Sequence, residues 1–405
     1  MNNDDQHIPS GYKPSPLGPI PEDWEVKRIG DFGKVITGNT PPTEDTDNYG
    51  NAYKFVSPAD ISDSKYIEAT EKHLSEKGFS ISRQMPKGTV LFTCIGSTIG
   101  KCAIANESLT SNQQINAIIC DSKHSGEFLY YELSHRSNRI KQIAGEQAVP
   151  IINKSTFENY KVLCPPFEEQ KSIAKILSIW DTAIVKQAAL IEQLTLRKRG
   201  LMQQLLTGKK RLKGFEGGWK RIKAGEIFKS ISVKGNGSEV LLSASQEHGV
   251  IPRDQLEGRV TMPTGDTNSF KLVEVGDFVI SLRSFQGGLE YSEHRGIVSP
   301  AYTVLKPIVE IDKSFYRYYF KSAEFIGHLA IAVIGIRDGK QISYEDFCFV
   351  KIPYPNIEEQ KAISTVLLQA DKEIEIQKQK LAAMQEQKKG LMQVLLTGKR
   401  RVNNE

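Results

Sequence analysis

The chain has 405 residues, of which 39% are hydrophobic and 25% charged, enough for two or three globular domains with real cores. A net charge of +5 and a pI of about 8.7 permit contact with phosphate, but they lack the extreme basicity of a histone-like chain. The five cysteines, Cys94, Cys102, Cys120, Cys164 and Cys348, form no C-x-x-C pair and are odd in number, which predicts reduced thiols. No apolar run approaches the ~18 residues of a membrane span. Residues 1–30 carry proline and acid where a signal peptide needs an apolar stretch, so the expected location is the cytoplasm.

The segment 21–165 opens on Pro21-Glu22-Asp23-Trp24-Glu25 and alternates short apolar runs with Gly, Pro, Ser and Asn. Strands are predicted at Thr89–Ile95 and Ile115–Cys120, and a helix at Glu127–Ile140. Polar clusters sit at the strand ends, in Cys94–Lys101 and in Ser111–Gln114. Asn and Gln can bond bidentately to adenine, while Ser, Thr and Lys reach phosphates or bases. Thr93, Ser97, Thr98, Lys101, Asn112, Gln113 and Gln114 are therefore candidate DNA contacts, although each cluster also reads as a turn that satisfies its own backbone.

Two chemical motifs in this segment fail. Gly96-Ser97-Thr98-Ile99-Gly100-Lys101 is one residue short of the phosphate loop G-x-x-x-x-G-K-[ST], and Cys102 stands where the metal-binding hydroxyl belongs. Cys164-Pro165-Pro166-Phe167 imitates the D/N-P-P-Y/F tetrapeptide of amino-group methyltransferases, but cysteine is a poor acceptor for the target amino group. A proline stop before a helix is the better reading. No H-E-x-x-H, Cys/His metal spacing or G-x-S-x-G elbow occurs, so neither a metal site nor a catalytic residue is expected in this chain.

From residue 166 a heptad-like seam runs Ile173, Leu177, Trp180, Ile184, Gln187, Ile191, Leu194, Lys198, Leu201, Leu205, in steps of four and three. That is the 3.5-residue period of a coiled coil. Gly208 sits where a left-handed C-terminal residue belongs, followed by Lys209-Lys210-Arg211.

The segment 215–355 repeats the plan of the first. Strands are predicted at Phe278–Leu282, Val298–Leu305 and Phe347–Ile352, and a helix at Lys313–His328. Its polar clusters, Ser281–Gly288 and Gly335–Gln341, supply the candidates Arg283, Ser284, Gln286, Arg337, Lys340 and Gln341, with Arg suited to guanine. Asn356 with Glu359 predicts a capping box before a second long helix. Its seam runs Ile363, Leu367, Ala370, Ile374, Gln377, Leu381, Met384, Lys388, Leu391, Leu395, and it closes on Gly398.

The two helical segments are an internal repeat. Residues 168–210 and 358–400 align without a gap at an offset of 190, with 19 of 43 positions identical. Fainter matches pair Trp24 with Trp219, Gly88 with Gly276, Tyr130–Tyr131 with Tyr318–Tyr319, and 157–160 with 344–347. The expected fold is α+β: two globular domains alternating with two long helices that pair as an antiparallel coiled coil, related by a pseudo-two-fold. The expected divisions are 1–165, 166–211, 212–355 and 356–405. A rod of about 40 residues at about 1.5 Å each spans about 60 Å.

The repeated E-E-Q-K, G-L-M-Q and L-L-T-G-K motifs in 166–211 and 356–401 resemble the conserved regions of type I restriction–modification specificity subunits. Residues 21–25 and Gly217-Gly218-Trp219 resemble the openings of that family's target recognition domains. The resemblance covers essentially the whole chain. It implies that each recognition domain reads one half of a bipartite double-stranded DNA site. It further implies that the helix pair sets the unread spacer and docks two modification subunits, with motor–nuclease restriction subunits joining them. S-adenosylmethionine, ATP and Mg would bind those partners, and this chain would hold no cofactor. Two other classes remain open: a self-contained DNA methyltransferase or nuclease, and a coiled-coil scaffold without DNA contact.

Overall fold

The computed structural model describes residues 8–145, 149–256, 267–282, 284–333 and 342–402. The chain divides into two units, Met1–Lys186 with Lys380–Glu405, and Gln187–Gln379. Each unit holds one variable domain and a part of each long helix. The unit boundaries therefore fall inside the helices rather than at their ends.

In the first unit a four-stranded antiparallel sheet has the order Gly33–Thr37, Ile115–Cys120, Val90–Thr93, Cys102–Ile104. Side chains alternate across it, and both faces are covered. Val90, Phe92, Ile104 and Ile118 join the core beneath the helix Gly126–Gln142. Leu91, Ala103, Ile115 and Ala117 join a second core with Val56, Ile61 and Leu109. Burial on both faces is why these strands read as continuous apolar runs. A three-stranded sheet, Lys72–Leu74, Tyr49–Val56, Thr110–Ser111, borders that second core. A two-stranded ribbon joins Glu25–Arg28 to Lys161–Cys164, just before the first long helix.

The second unit repeats the sheet order with Phe228–Ile231, Thr303–Pro307, Phe278–Ile280 and Glu290–Tyr291. Its faces also divide, with Phe278, Ile280 and Leu305 in one core and Val279 and Val304 in another. The ribbon Lys220–Lys223 with Lys351–Tyr354 matches that of the first unit.

Several predicted elements differ from those observed. Val298–Leu305 is two strands, Gly296–Val298 and Thr303–Pro307, parted by a turn in which Tyr302 N donates to Ser299 O. Phe347–Ile352 is a helix, Tyr344–Phe349, followed by the strand Lys351–Tyr354. Ser343 and Asp346 form a capping box there, and that local signal overrides the aromatic, strand-like composition. The helix predicted at Lys313–His328 breaks into Lys313–Tyr319 and Ala323–Val333. Between them Phe320 packs into the core, and Ser322 Oγ accepts from Phe325 N to start the second helix.

The repeat register is also corrected. Asn153 and Ser343 cap equivalent helices, and Phe157 and Phe347 are both fully buried, so the 190-residue offset already holds there. Residue 157 therefore matches 347, not 344. At the helix capped by Ser125, matched by the one capped by Asp312, the offset is 187. Tyr131, not Tyr130, matches Tyr318, because Tyr131 donates to Asp181 as Tyr318 does to Asp371 at 2.6 Å.

The long helices are Phe167–Leu205 and Ile357–Leu395, 39 residues each. Every residue of the two predicted seams is buried or half-buried. Within each unit the pairing is antiparallel. In the first, Glu169 meets Arg401 and Asp181 meets Lys388. In the second, Gln187 meets Gln377, Lys198 meets Asp371 and Arg211 meets Glu359. The seam lysines thus answer an aspartate on the opposite helix, and each also lies over the tyrosine bound to that aspartate. The outer seam positions do more than pair helices. Ile173 and Leu177 lie in the first domain's core with Leu395, and Ile363 and Leu367 in the second domain's core with Leu205.

Gln187 is 7% exposed and donates through Nε2 to Gln377 Oε1 at 2.8 Å and to Gln377 O at 3.1 Å. Replacing Gln187 alone with leucine strands the partner amide, and the thermal midpoint is expected to fall, by about 1 kcal/mol of stability. Replacing both with leucine should raise it above the wild type by a similar amount, measured by scanning calorimetry.

Each unit is closed by a tryptophan–glutamate–arginine clasp. Trp24 Nε1 donates to Glu169 Oε2 at 2.9 Å, and Arg401 donates to both oxygens at 2.8 Å while also forking onto Asp23. Trp219 Nε1 donates to Glu359 Oε2 at 2.9 Å, where Arg211 forks onto both oxygens. The capping box predicted at Asn356 is therefore only half made. Asn356 Oδ1 accepts from Glu359 N at 2.8 Å, but the Glu359 carboxylate is committed to Arg211 and Trp219. Gly208 and Gly398 adopt φ of 71° and 72°, as the C-terminal motif requires, and a Cβ on Gly398 would lie 2.6 Å from Pro21.

Candidate nucleic-acid interface

In the first unit three loops meet at one end of the four-stranded sheet. They are residues 38–40 after the edge strand Gly33–Thr37, residues 94–98 after Val90–Thr93, and residues 112–114 before Ile115–Cys120. Backbone bonds weld them: Gly38 N donates to Ile115 O, and Cys94 N to Gln114 O. Gly38 must be glycine, since a Cβ would sit 2.2 Å from Asn112 O. Asn112 Nδ2 donates to Gln114 Oε1 at 3.0 Å, and Thr40 Oγ1 to Gln113 Oε1 at 2.8 Å. The result is a fixed rim of amide and hydroxyl groups, with Ser97 and Gln113 exposed and Thr98, Asn112 and Gln114 half-exposed.

Two candidates of this unit do not belong to the rim. Thr93 is fully buried in its strand, so its hydroxyl cannot touch a groove. Lys101 turns its ammonium back onto the carbonyls of Ile61, at 2.7 Å, and Pro58. The Gly96–Gly100 stretch is a turn between two strands, with φ of 91° and 101° at its glycines, and no helix follows to present N–H groups to a phosphate. Cys164 ends the ribbon strand Lys161–Cys164, and burial pushes its thiol up to about 11.

Sequence reasoning missed Asn39, Thr40 and Arg83. Arg83 N donates to Asn39 Oδ1 and its Nη1 to Thr37 O, both at 2.7 Å, so an exposed guanidinium stands beside the rim. The Thr37-Gly38-Asn39-Thr40-Pro41-Pro42 stretch, a turn signature, is the signal that could have found the loop.

In the second unit Ser284 is 1% exposed and accepts from Ser281 N at 2.8 Å, so it shapes the helical turn Ser284–Gly287 rather than facing outward. Gln286 is exposed on that turn. Lys321 holds the turn in place, donating to Gly287 O at 3.0 Å and to Glu290 at 2.7 Å. A Cβ on Gly288 would fall 1.8 Å from Phe320 O, so only glycine fits. Arg283, Arg337, Lys340 and Gln341 lie outside the described residues. A basic pair not foreseen from the sequence is Lys234 and Lys271. Burial, with the nearby charge of Lys234 adding to it, holds the Lys271 ammonium below its ordinary value.

The arrangement in the first unit is suited to reading polar edges rather than to bond-making chemistry. It offers preset amide and guanidinium groups on loops held by a rigid sheet. No helix among the described residues is long and apolar enough to cross a membrane.

Comparison with known proteins agrees with this geometry. The family model for the type I restriction modification DNA specificity domain matches twice, at residues 21–196 and 216–386. The chain is 30% identical to the type I restriction enzyme MjaVIII specificity subunit of Methanocaldococcus jannaschii, over 95% of both chains. It is 31% identical to the putative MjaX specificity subunit of the same organism, covering 96% of this chain and 97% of the relative. Among solved structures, one reported for complex assembly and conformational transition of the type I R-M system aligns with a TM-score of 0.61 at 17% identity, over 94% of this chain and 99% of that one. The S subunit from M. genitalium aligns with a TM-score of 0.54 at 17% identity, over 92% and 96%. Two matched domains, a gapless helical repeat and relatives alike over their whole length together place this chain in the type I restriction–modification DNA specificity family.

Proposed function

We propose that this chain is the DNA-reading subunit of a type I restriction–modification complex, with each domain reading one half of a bipartite site. The observation that carries this reading is the duplicated scaffold: one strand order occurs in both units, and the described loops at equivalent places carry different side chains. Two readers built alike but faced differently suit two different half-sites. The long helices set the length of duplex left unread between the halves. The faces outside the seam dock two modification subunits, and restriction subunits complete the assembly. The chain holds no cofactor and does no chemistry. S-adenosylmethionine for adenine methylation, and ATP with Mg for translocation and cleavage, belong to the partners, in the cytoplasm where the DNA lies.

Methylome mapping in a host carrying this chain with its modification partner tests the reading. A bipartite methylated motif is expected, and a continuous or absent motif overturns it. Inserting seven residues into each helix, after Ala183 and at the matching place in the second, adds about 10 Å while keeping the heptad. The half-sites should stay the same and the spacer should lengthen by one to three base pairs, on the order of 3.4 Å each. An unchanged spacer would remove the helices from that role.

A further inference from the structure

A cleft of about 500 Å³ runs along the edge strand Gly33–Thr37, walled by Lys34, Arg83, Gln84, Ile119 and Lys154. Lys34 is exposed and makes no ion pair among the described residues. Among the described residues, the one carboxylate ion-paired to a cation of the cleft is Glu158, taken up by Lys154 at 3.1 Å. Through Arg83 the cleft adjoins the amide rim, since Arg83 bonds Asn39 and the next residue, Thr40, donates to Gln113. Arg83 is held from two sides, by Asn39 Oδ1 on its backbone and Thr37 O on Nη1, while Nε and Nη2 make no hydrogen bond among the described residues. A guanidinium pinned on one side and open on the other is set to offer two parallel donors. The groove-edge acceptors that match such a fork are O6 and N7 of guanine. A partnerless lysine on the adjoining edge strand matches a backbone phosphate.

On the reading that this chain binds double-stranded DNA, we propose that Arg83 is a specificity-determining residue of the first domain. It reads a guanine, and Lys34 anchors the neighbouring phosphate. The two roles leave different signatures. Arg83 acts on one base pair only, whereas Lys34 acts on every sequence alike.

The test measures binding of the complex with its modification subunits to duplexes carrying the mapped site and each single base-pair change in it. Arg83→Ala should lose on the order of tenfold or more on the cognate site and level the discrimination at one G·C pair of one half-site, leaving the other half-site untouched. Arg83→Lys, which keeps the charge but not the fork, should regain affinity without regaining that discrimination. Lys34→Ala should weaken all duplexes about equally and reduce the salt dependence by about one phosphate contact. Arg83→Ala discriminating like the wild type at every position, beside a wild type that does discriminate, overturns the assignment of Arg83 alone. A wild-type complex with no sequence preference overturns the DNA-reading function and this proposal with it.

Discussion

Glu359→Ala is expected to destabilise the second unit by about 3 kcal/mol, lowering its denaturant midpoint without changing the fold class. The carboxylate is only 1% exposed, yet it is the shared acceptor for the Arg211 guanidinium and the Trp219 indole. Its loss leaves a largely buried cation with only the carbonyls of Glu216 and Gly217 to accept from it, and a part-buried indole N–H without its acceptor. Glu359→Gln keeps one oxygen and should lose about half as much. The equivalent change in the first unit, Glu169→Ala, should act differently because of connectivity. Arg211 and Trp219 are eight residues apart on one stretch of chain, whereas Arg401 and Trp24 are 377 residues apart. Residues 398–402 follow the helix Ile357–Leu395 and rest on the first domain through contacts that include Tyr12 Oη on Gly398 O at 2.7 Å. Glu169→Ala should therefore loosen residues 398–402 from the domain before it unfolds the unit. Limited tryptic cleavage after Lys399 and Arg400 should quicken in Glu169→Ala with little change in the thermal midpoint. Equal cleavage in both proteins would show that the clasp does not hold residues 398–402.

The clasp also marks where sequence reading stops. Trp24 and Trp219 are visible as a repeat, but nothing local says that each bonds a glutamate about 140 residues on. The helices are readable because a 3.5-residue period is a local property, and all the predicted seam positions are covered. The seam lysines read as polar inclusions that fix register. Their actual partners, Asp181 and Asp371, lie on the opposite helix and become visible only when the antiparallel pairing is known. Strand positions in the variable domains are found to within a few residues where both faces are buried, as at Ile115–Cys120. They fail where a cap decides, as at Ser343. The candidate interface is the least readable part. Turn residues announce loops but do not say which loops meet. Thr93 and Ser284 were drawn in by their neighbours, while Asn39 and Arg83, which lie outside the polar clusters they join, were not.

Arg136→Leu in the first unit should cost about 3–5 kcal/mol at neutral pH. Glu132 is fully buried on the helix Gly126–Gln142, and its Oε1 accepts from Arg136 Nε and from Leu163 N at 3.0 Å. The bond to Leu163 ties that helix to the ribbon strand leading into the first long helix. Burial outweighs the stabilising cations here, so the carboxyl is held above its ordinary range even with Arg136 present. A pair in that state contributes little net stability, yet removing its cation is expensive. Without Arg136 the folded-state carboxyl is raised further above its unfolded value of about 4.3. The folded protein then binds the proton more tightly than the unfolded chain does. The variant's stability is therefore fully present below the unfolded value and falls as pH rises from there toward neutrality, more steeply than in the wild type. Glu132→Gln combined with Arg136→Leu removes both charges and keeps an acceptor for Leu163. It should recover most of the loss and flatten the extra pH dependence. Urea unfolding of the three proteins between pH 4 and 8 measures this. A double variant no more stable than Arg136→Leu alone would show that the cost lies in lost packing of the arginine rather than in the stranded carboxylate.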